Sequence, residues 1–71
     1  MKVIVCGAGQ VGFSIARHLA LENNDVTVID RDPELVRRVS DTLDANGIVG
    51  HASNPEILEK AIEKNIKEQY R

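Results

Sequence analysis

The chain has 71 residues, and nine Lys and Arg against eleven Asp and Glu give a formal net charge of −2, which argues against a nucleic-acid module that relies on a basic surface. This length allows one domain at most, and hydrophobic and charged fractions of 42% and 28% are typical of a folded globular chain. A single Cys excludes an intramolecular disulfide framework, so a reducing compartment fits best. One Cys and two His are also too few and too scattered for a zinc site. The N-terminal apolar run, residues 3–6, is too short for a signal sequence or a membrane span.

Three short apolar runs predict β-strands. Residues 3–6 are mainly β-branched and stop at Gly7, which is the pattern of a strand buried on both faces of a parallel sheet. Residues 26–29 predict a second strand whose C-terminal end is marked by Asp30, and residues 48–49 predict a minimal third strand.

Two helices are predicted between these strands. The first has apolar residues at helical spacing and ends at the polar residues 23–25; its predicted core positions are Val11, Ile15, Ala16 and Leu19, whereas Phe13 and Leu21 fall away from the apolar centre. The second begins at Asp32 as N-cap, followed by Pro33 and Glu34, and is predicted to end at Asn46-Gly47 in a left-handed cap. Its predicted core face comprises Leu35, Val36, Val39 and Leu43.

A third helix is predicted from the capping box formed by Ser53 and Glu56, and no residue breaks it before Arg71. Strands that alternate with helices favour right-handed β-α-β crossovers and a parallel sheet. The predicted fold class is therefore α/β, a three-layer half-Rossmann unit (β-α-β-α-β-α) whose three-stranded sheet has the order 3-2-1.

The glycine motif G-x-G-x-x-G spans Gly7-Ala8-Gly9-Gln10-Val11-Gly12, directly after a predicted strand and at the start of a predicted helix. Gly7 allows the tight turn, Gly9 lets a diphosphate approach the backbone, and Gly12 lets the helix pack close to the strand. The free N–H groups and the helix dipole would favour a diphosphate without a basic side chain. The alternative interpretation is a simple tight turn.

Asp30 ends the second strand 18 positions after Gly12, where the fingerprint expects an acid that binds a ribose diol. Such an acid favours NAD over NADP, although the neighbouring Arg31 would weaken this preference by pairing with a phosphate or stacking on adenine. The alternative for Asp30 is a solvated strand-end or helix-capping acid. His51 follows the third strand, at the edge where α/β sheets bind ligands, and is either an adenine or ribose contact or a loop histidine without a ligand role. Cys6 is interpreted as a small core residue rather than a nucleophile.

The chain resembles a known family in three segments, GAGQVG at 7–12, ENNDVTVID at 22–30 and GHASNP at 50–55. Together they are similar to the N-terminal nucleotide-binding domain of the peripheral regulatory subunit of the Trk potassium-uptake system, one of the RCK/KTN-type domains that regulate potassium conductance. The resemblance covers residues 1–61 of a single partial dinucleotide-binding domain, and residues 62–71 are interpreted as a helical extension.

This resemblance implies a cytoplasmic domain that binds NAD(H), or in some members ATP or ADP, and passes the state of its ligand to a membrane potassium transporter. It implies that the diphosphate is lined by Gly7, Gly9, Gln10, Val11 and Gly12, and that Asp30 and Arg31 hold the adenosine ribose. Many related domains carry an acid at the position of His51, so the resemblance leaves its adenine contact open.

Half of a dinucleotide fold lacks the strands that would hold the nicotinamide, so the chain is predicted to be a binding module rather than an enzyme, with no catalytic and no metal-binding residues. The alternatives are a minimal oxidoreductase fragment and an engineered or truncated Rossmann fragment with a structural role only and no ligand binding. A first strand without its second neighbour leaves an open sheet edge, which predicts a homodimer that covers it.

Overall fold

The computed structural model describes residues 1–51 and 53–69, with side chains through residue 62. It contains three strands and three helices in alternation: β1 (Lys2–Cys6), α1 (Gln10–Leu21), β2 (Asp25–Asp30), α2 (Pro33–Thr42), β3 (Asn46–Val49) and α3 (Pro55–Gln69). The strands form one parallel sheet in the order β1-β2-β3, which is the predicted order 3-2-1 read from its other edge. The predicted half-Rossmann fold is confirmed.

The register of the sheet determines which side chains share a face. Val3 lies opposite Val26 and Val5 opposite Val28, and these valines form one core with residues of α1 and α2. Because side chains alternate along a strand, Thr27 and Ile29 lie on the opposite face of β2, and both are fully buried. The helix α3 packs against β2. The sheet therefore lies between two helices on one face and α3 on the other.

The end of α1 agrees with its prediction. Glu22 is the C-cap, and Asn23 adopts the left-handed conformation at φ 65°. The backbone N–H of Asn23 donates to Ala20 O at 3.1 Å and that of Asn24 to Leu19 O at 3.1 Å, which is a Schellman motif. The Asn24 side chain also donates to Leu19 O, at 2.9 Å.

The predicted end of α2 is wrong. The helix stops at Thr42, its C-cap Leu43 is extended at φ −114°, and Asn46-Gly47 opens β3 instead of capping the helix. The small size of Gly47 serves packing, because a Cβ atom there would lie 2.6 Å from Val36 Cγ1. Glycine at this position thus lets β3 approach α2 closely.

The start of α3 also differs from its prediction. The Asn54 side chain, not that of Ser53, accepts a hydrogen bond from the Glu56 backbone N–H, at 3.0 Å. This repeats the start of α2, where the Asp32 side chain accepts from Glu34 N–H at 2.9 Å. In both helices a proline follows the capping residue, because the first helical position needs no N–H donor.

The predicted core of α1 is partly wrong. Ala16 is buried, but Val11 and Ile15 are exposed, whereas Phe13 packs against the core. The helix is rotated so that Phe13 faces α2, where the Arg38 guanidinium lies 4.3 Å from the ring centroid. Cys6, expected in the core, is exposed as well, at the carboxyl end of β1.

Candidate functional site

The junction between β1 and α1 requires glycine at two positions, Gly7 in the loop and Gly12 in α1. Gly7 has φ +106°, a conformation that side chains disfavour, and its N–H donates to Ile29 O of β2 at 2.7 Å. A Cβ atom on Gly12 would lie 2.0 Å from Gly7 O, so the first turn of α1 packs directly on the loop. These are the turn and packing roles predicted for the two glycines.

The N-terminus of α1 is open to a ligand. Gly9 is its N-cap, no side chain caps the helix within the described residues, and no acid lies in the first turn. A Cβ atom on Gly9 would meet nothing within 4 Å, so packing within the protein does not require a glycine at this position. Gln10 and Val11 follow as exposed residues of the first turn. The arrangement leaves unpaired N–H groups and the positive end of the helix dipole directed at open space, which suits an anion.

Asp30 is fixed by two backbone donors. Its Oδ2 accepts from the N–H of Ala8 at 2.7 Å, and its Oδ1 accepts from the N–H of Asp32 at 2.8 Å. The hydrogen bond from Asp32 and then that from Ala8 hold the pKa of this carboxyl below its ordinary value, with a smaller contribution from the charge of Arg31. An ionised carboxylate offers about four acceptor positions, so about two remain for further donors.

The end of β3 is joined to the same site. The N–H of Gly50 donates to Asp30 O at 2.9 Å, which brings His51 next to Arg31. The Arg31 guanidinium nitrogen lies 3.3 Å from His51 Nε2, and Ser53 Oγ lies 3.1 Å from His51 Nδ1. Because arginine only donates, Nε2 is the acceptor, and the hydrogen of a neutral ring is on Nδ1, where it donates to Ser53.

A pocket of about 260 Å³ lies at this edge of the sheet. Four predicted site residues line it, together with three that were not predicted as site residues; the lining comprises Cys6, Gly7, Ile29, Asp30, Arg31, Gly50 and His51. The other predicted residues, Gly9, Gln10, Val11 and Gly12, lie in the adjoining loop and first turn rather than in the pocket wall. Cys6 was missed because its run was interpreted as buried, although its place before Gly7 puts it at the carboxyl end of β1.

Two properties of the described residues bear on the class of protein. None of the helices there is both long enough and apolar enough to cross a membrane. No group of three or more His, Cys, Asp or Glu side chains in that part of the chain is arranged to hold a metal ion.

Comparison with known proteins assigns the family. The TrkA-N domain family matches residues 3–68. The Trk system potassium uptake protein TrkA of Azorhizobium caulinodans is 52% identical over 61 residues, and that of Halomonas elongata is 46% identical over 61 residues; each alignment covers 86% of this chain and 13% of the relative. A Trk system potassium uptake protein trkA homolog of Methanosarcina mazei is 43% identical over 63 residues, which are 89% of this chain and 15% of the relative.

The chain thus spans about an eighth of the length of these relatives. Most of its residues lie within the family match. The chain belongs to the TrkA-N domain family.

Proposed function

We propose that this domain is a regulatory module that binds the ADP-ribose part of NAD(H), or ADP or ATP, at the glycine loop and the end of β2. The observation that carries the proposal is the Asp30 carboxylate, held by the Ala8 and Asp32 N–H groups beside the loop. Its free acceptor positions suit the two hydroxyls of a ribose.

The loop supplies the second part of the proposed site. A diphosphate at the N-terminus of α1 would meet unpaired N–H groups, and the absence of a Cβ atom on Gly9 gives it room. Gly7 and Gly12 shape the loop, whereas Gln10 and Val11 would offer their backbone N–H groups. Bound NAD(H) would carry the redox state of its nicotinamide, and the residues of this chain would bind and orient its adenosine half.

Selectivity follows from the charges at the ribose. A 2′-phosphate would lie against the ionised Asp30, which favours NAD over NADP, while Arg31 is held towards His51 rather than towards Asp30. The pocket of about 260 Å³ is smaller than the roughly 300–1,000 Å³ typical of drug-sized ligands, which fits one nucleoside better than a whole dinucleotide. Arg31 and His51 are proposed to border the adenosine there.

We place the domain in potassium transport because its relatives are named as Trk system potassium uptake proteins. In this proposal the ligand state of a cytoplasmic domain controls a membrane potassium transporter, and the domain itself binds without catalysing a reaction.

Self-association is a further part of the proposal. β1 has one strand neighbour among the described residues, and α1 lies over β1 and β2. Val11 and Ile15 each lie two residues from Phe13, about 200° around the helix and so away from α2. They are 73% and 48% exposed, and they flank the open edge of β1, where a second copy would cover them.

Calorimetric titration with NAD⁺, NADH, ADP and ATP tests the nucleotide site. Asp30→Ala should weaken binding by about 1.5–3 kcal/mol, the usual contribution of hydrogen bonds to a charged group. Asp25→Ala is the matched control, because it removes the same charge at the other end of β2. Equal losses in both variants, or no binding by the wild-type chain, would contradict the proposal.

Sedimentation at high concentration tests self-association. The wild-type chain should sediment as a dimer and Ile15→Lys as a monomer. Leu21→Lys, at an apolar residue that is 73% exposed on another side of α1, should leave the dimer intact. A monomeric wild-type chain at high concentration would contradict this part of the proposal.

A further inference from the structure

A second cleft lies between α1 and α2, on the helical side of the sheet. It measures about 420 Å³ and is lined by Gln10, Phe13, Ser14, Arg17, Arg38 and Thr42; we call it the α1–α2 cleft. It shares no lining residue with the pocket at Asp30. The α1 residues recur at helical spacing, so one face of that helix forms one wall of the cleft.

The charge of this cleft is opposite to that of the chain as a whole. Arg17 and Arg38 line it, and none of its six lining residues in the described part of the chain is an Asp or Glu. Neither arginine forms an ion pair with a described residue. The adjacent Arg37 does not line the cleft and is paired with Asp41, Nε to Oδ2, at 3.7 Å. The charges of Arg17 and Arg38 therefore remain available to a ligand.

One of these arginines is held in place. The guanidinium carbon of Arg38 lies 4.3 Å from the centroid of the Phe13 ring, and that ring packs against the hydrophobic core. Contact with the face of an aromatic ring leaves the in-plane N–H groups of a guanidinium free to donate. Less side-chain freedom is then lost when Arg38 binds an anion.

We propose that the α1–α2 cleft is a second anion-binding site that takes the phosphate group of a small phosphorylated molecule. The two guanidiniums suit bidentate phosphate recognition, and the Ser14 and Thr42 hydroxyls add neutral donors. The volume falls within the roughly 300–1,000 Å³ range of small-molecule sites, which favours a small ligand over a flat protein contact. Gln10 lies both in this wall and in the first turn of α1, so an anion here would lie beside the proposed nucleotide site.

Nitrogen-15 NMR of the arginine side chains, with inorganic phosphate as the probe, tests this site. Phosphate should shift the Nε–H signals of Arg17 and Arg38 saturably, whereas sodium chloride at equal ionic strength should not. The double variant Arg17→Ala/Arg38→Ala should bind phosphate about tenfold more weakly, as read from the backbone amide signals of Ser14 and Thr42 in the same cleft, because it lacks both bidentate donors. Arg37→Ala removes a neighbouring arginine that is already paired and should change affinity by less than about twofold.

A lysine variant separates recognition from net charge and folding. Arg17→Lys/Arg38→Lys keeps the charge but not the planar fork, and it should lose much of the phosphate affinity while retaining the wild-type circular dichroism spectrum. Equal responses to chloride and phosphate, or an equal loss in Arg37→Ala, would overturn the proposal. Binding of a glutamate-rich peptide to these arginines without binding of phosphate would overturn it in favour of a protein partner.

The same titration in the presence of ADP separates this site from the nucleotide site. Phosphate signals at Arg17 and Arg38 that persist with ADP bound support two distinct sites. If ADP does not bind, the arginine signals still decide the matter, because they report on the α1–α2 cleft and not on the N–H groups of the glycine loop. Phosphate shifts confined to residues 9–12 would overturn the second site.

Discussion

The Asp30 carboxylate accepts a hydrogen bond from the backbone N–H of Ala8 at 2.7 Å, across 22 positions of sequence. This contact joins the end of β2 to the glycine loop that precedes α1. The acid proposed to bind the ribose therefore also holds the loop proposed to bind the diphosphate. A change at Asp30 should affect both halves of the proposed site, as well as the stability of the fold.

The first prediction concerns stability at acid pH. The N–H groups of Asp32 and Ala8 lower the pKa of Asp30 in the folded chain below its ordinary value of 3.8. A lowered folded-state pKa means that the stabilisation is complete above the ordinary value and is lost as the pH falls through the folded value. Urea unfolding between about pH 6 and pH 2 should show a smaller acid-induced loss for Asp30→Asn than for the wild-type chain.

The control for this prediction is Asp25→Asn, which removes a carboxylate at the opposite end of β2 from the Ala8 and Asp32 N–H donors. Its acid-induced loss of stability should equal that of the wild-type chain. A wild-type profile from Asp30→Asn would show that the two backbone hydrogen bonds do not stabilise the ionised carboxylate.

The second prediction separates two glycines of the glycine motif, the N-cap Gly9 and Gly12 within α1. Gly12→Ala should destabilise the fold by about 3 kcal/mol or more, because its Cβ atom would lie 2.0 Å from Gly7 O, a backbone atom that cannot move aside easily. Gly9→Ala should leave the unfolding midpoint nearly unchanged, since Gly9 has φ −69° and nothing lies within 4 Å of its Cβ position. It should nevertheless weaken ADP binding, because the added methyl group occupies the approach of the diphosphate.

Thermal unfolding and ADP titration of the two variants measure these effects. Comparable stability losses in both would contradict the packing argument. Undiminished ADP binding by a folded Gly9→Ala variant would contradict the proposed position of the diphosphate.

Much of the fold could be predicted because each strand contains a short β-branched run and because α2 and α3 each begin with a capping residue followed by proline. The errors arose where two signals compete. Ser53 and Asn54 are both good N-cap residues, and only Pro55 distinguishes them, because proline favours the first helical position. Asn46-Gly47 is typical of a helix end, yet the space that β3 needs against Val36 explains that glycine better.

The structural roles of Gly7 in the turn and of Gly12 in packing could be predicted, because the backbone there demands glycine, whereas the part of these residues and of Asp30 in binding stays a prediction. The site was less predictable where long-range packing decides exposure. Cys6 lies in an apolar run, and nothing local indicates that its side chain is exposed. The contact between Arg31 and His51 joins the ends of two strands, which sequence spacing does not specify.

The third prediction tests the close approach of β3 and α2. Gly47→Ala should destabilise the fold by about 1–3 kcal/mol, since its Cβ atom would lie 2.6 Å from Val36 Cγ1 and 3.2 Å from Val36 O. The double variant Gly47→Ala/Val36→Ala removes the clash with the Val36 side chain, leaves the close contact with Ser40 Oγ at 2.9 Å, and puts a smaller residue in the core. If the clash is the cause, the two substitutions should cost less together than the sum of their separate costs, as measured by urea unfolding.

The last prediction concerns the turn between α1 and β2. Asn23 has φ 65° and is exposed, so its conformation is the one that glycine adopts at little cost. Asn23→Gly should keep or slightly raise the free energy of unfolding, whereas Asn23→Ala should lower it by about 1 kcal/mol, because alanine is strained there. Asn24→Ala should also lower it, since the side chain that donates to Leu19 O at 2.9 Å is lost. Urea unfolding of the three variants measures these free energies. Equal free energies of unfolding for Asn23→Ala and Asn23→Gly would show that the left-handed turn is not maintained in solution.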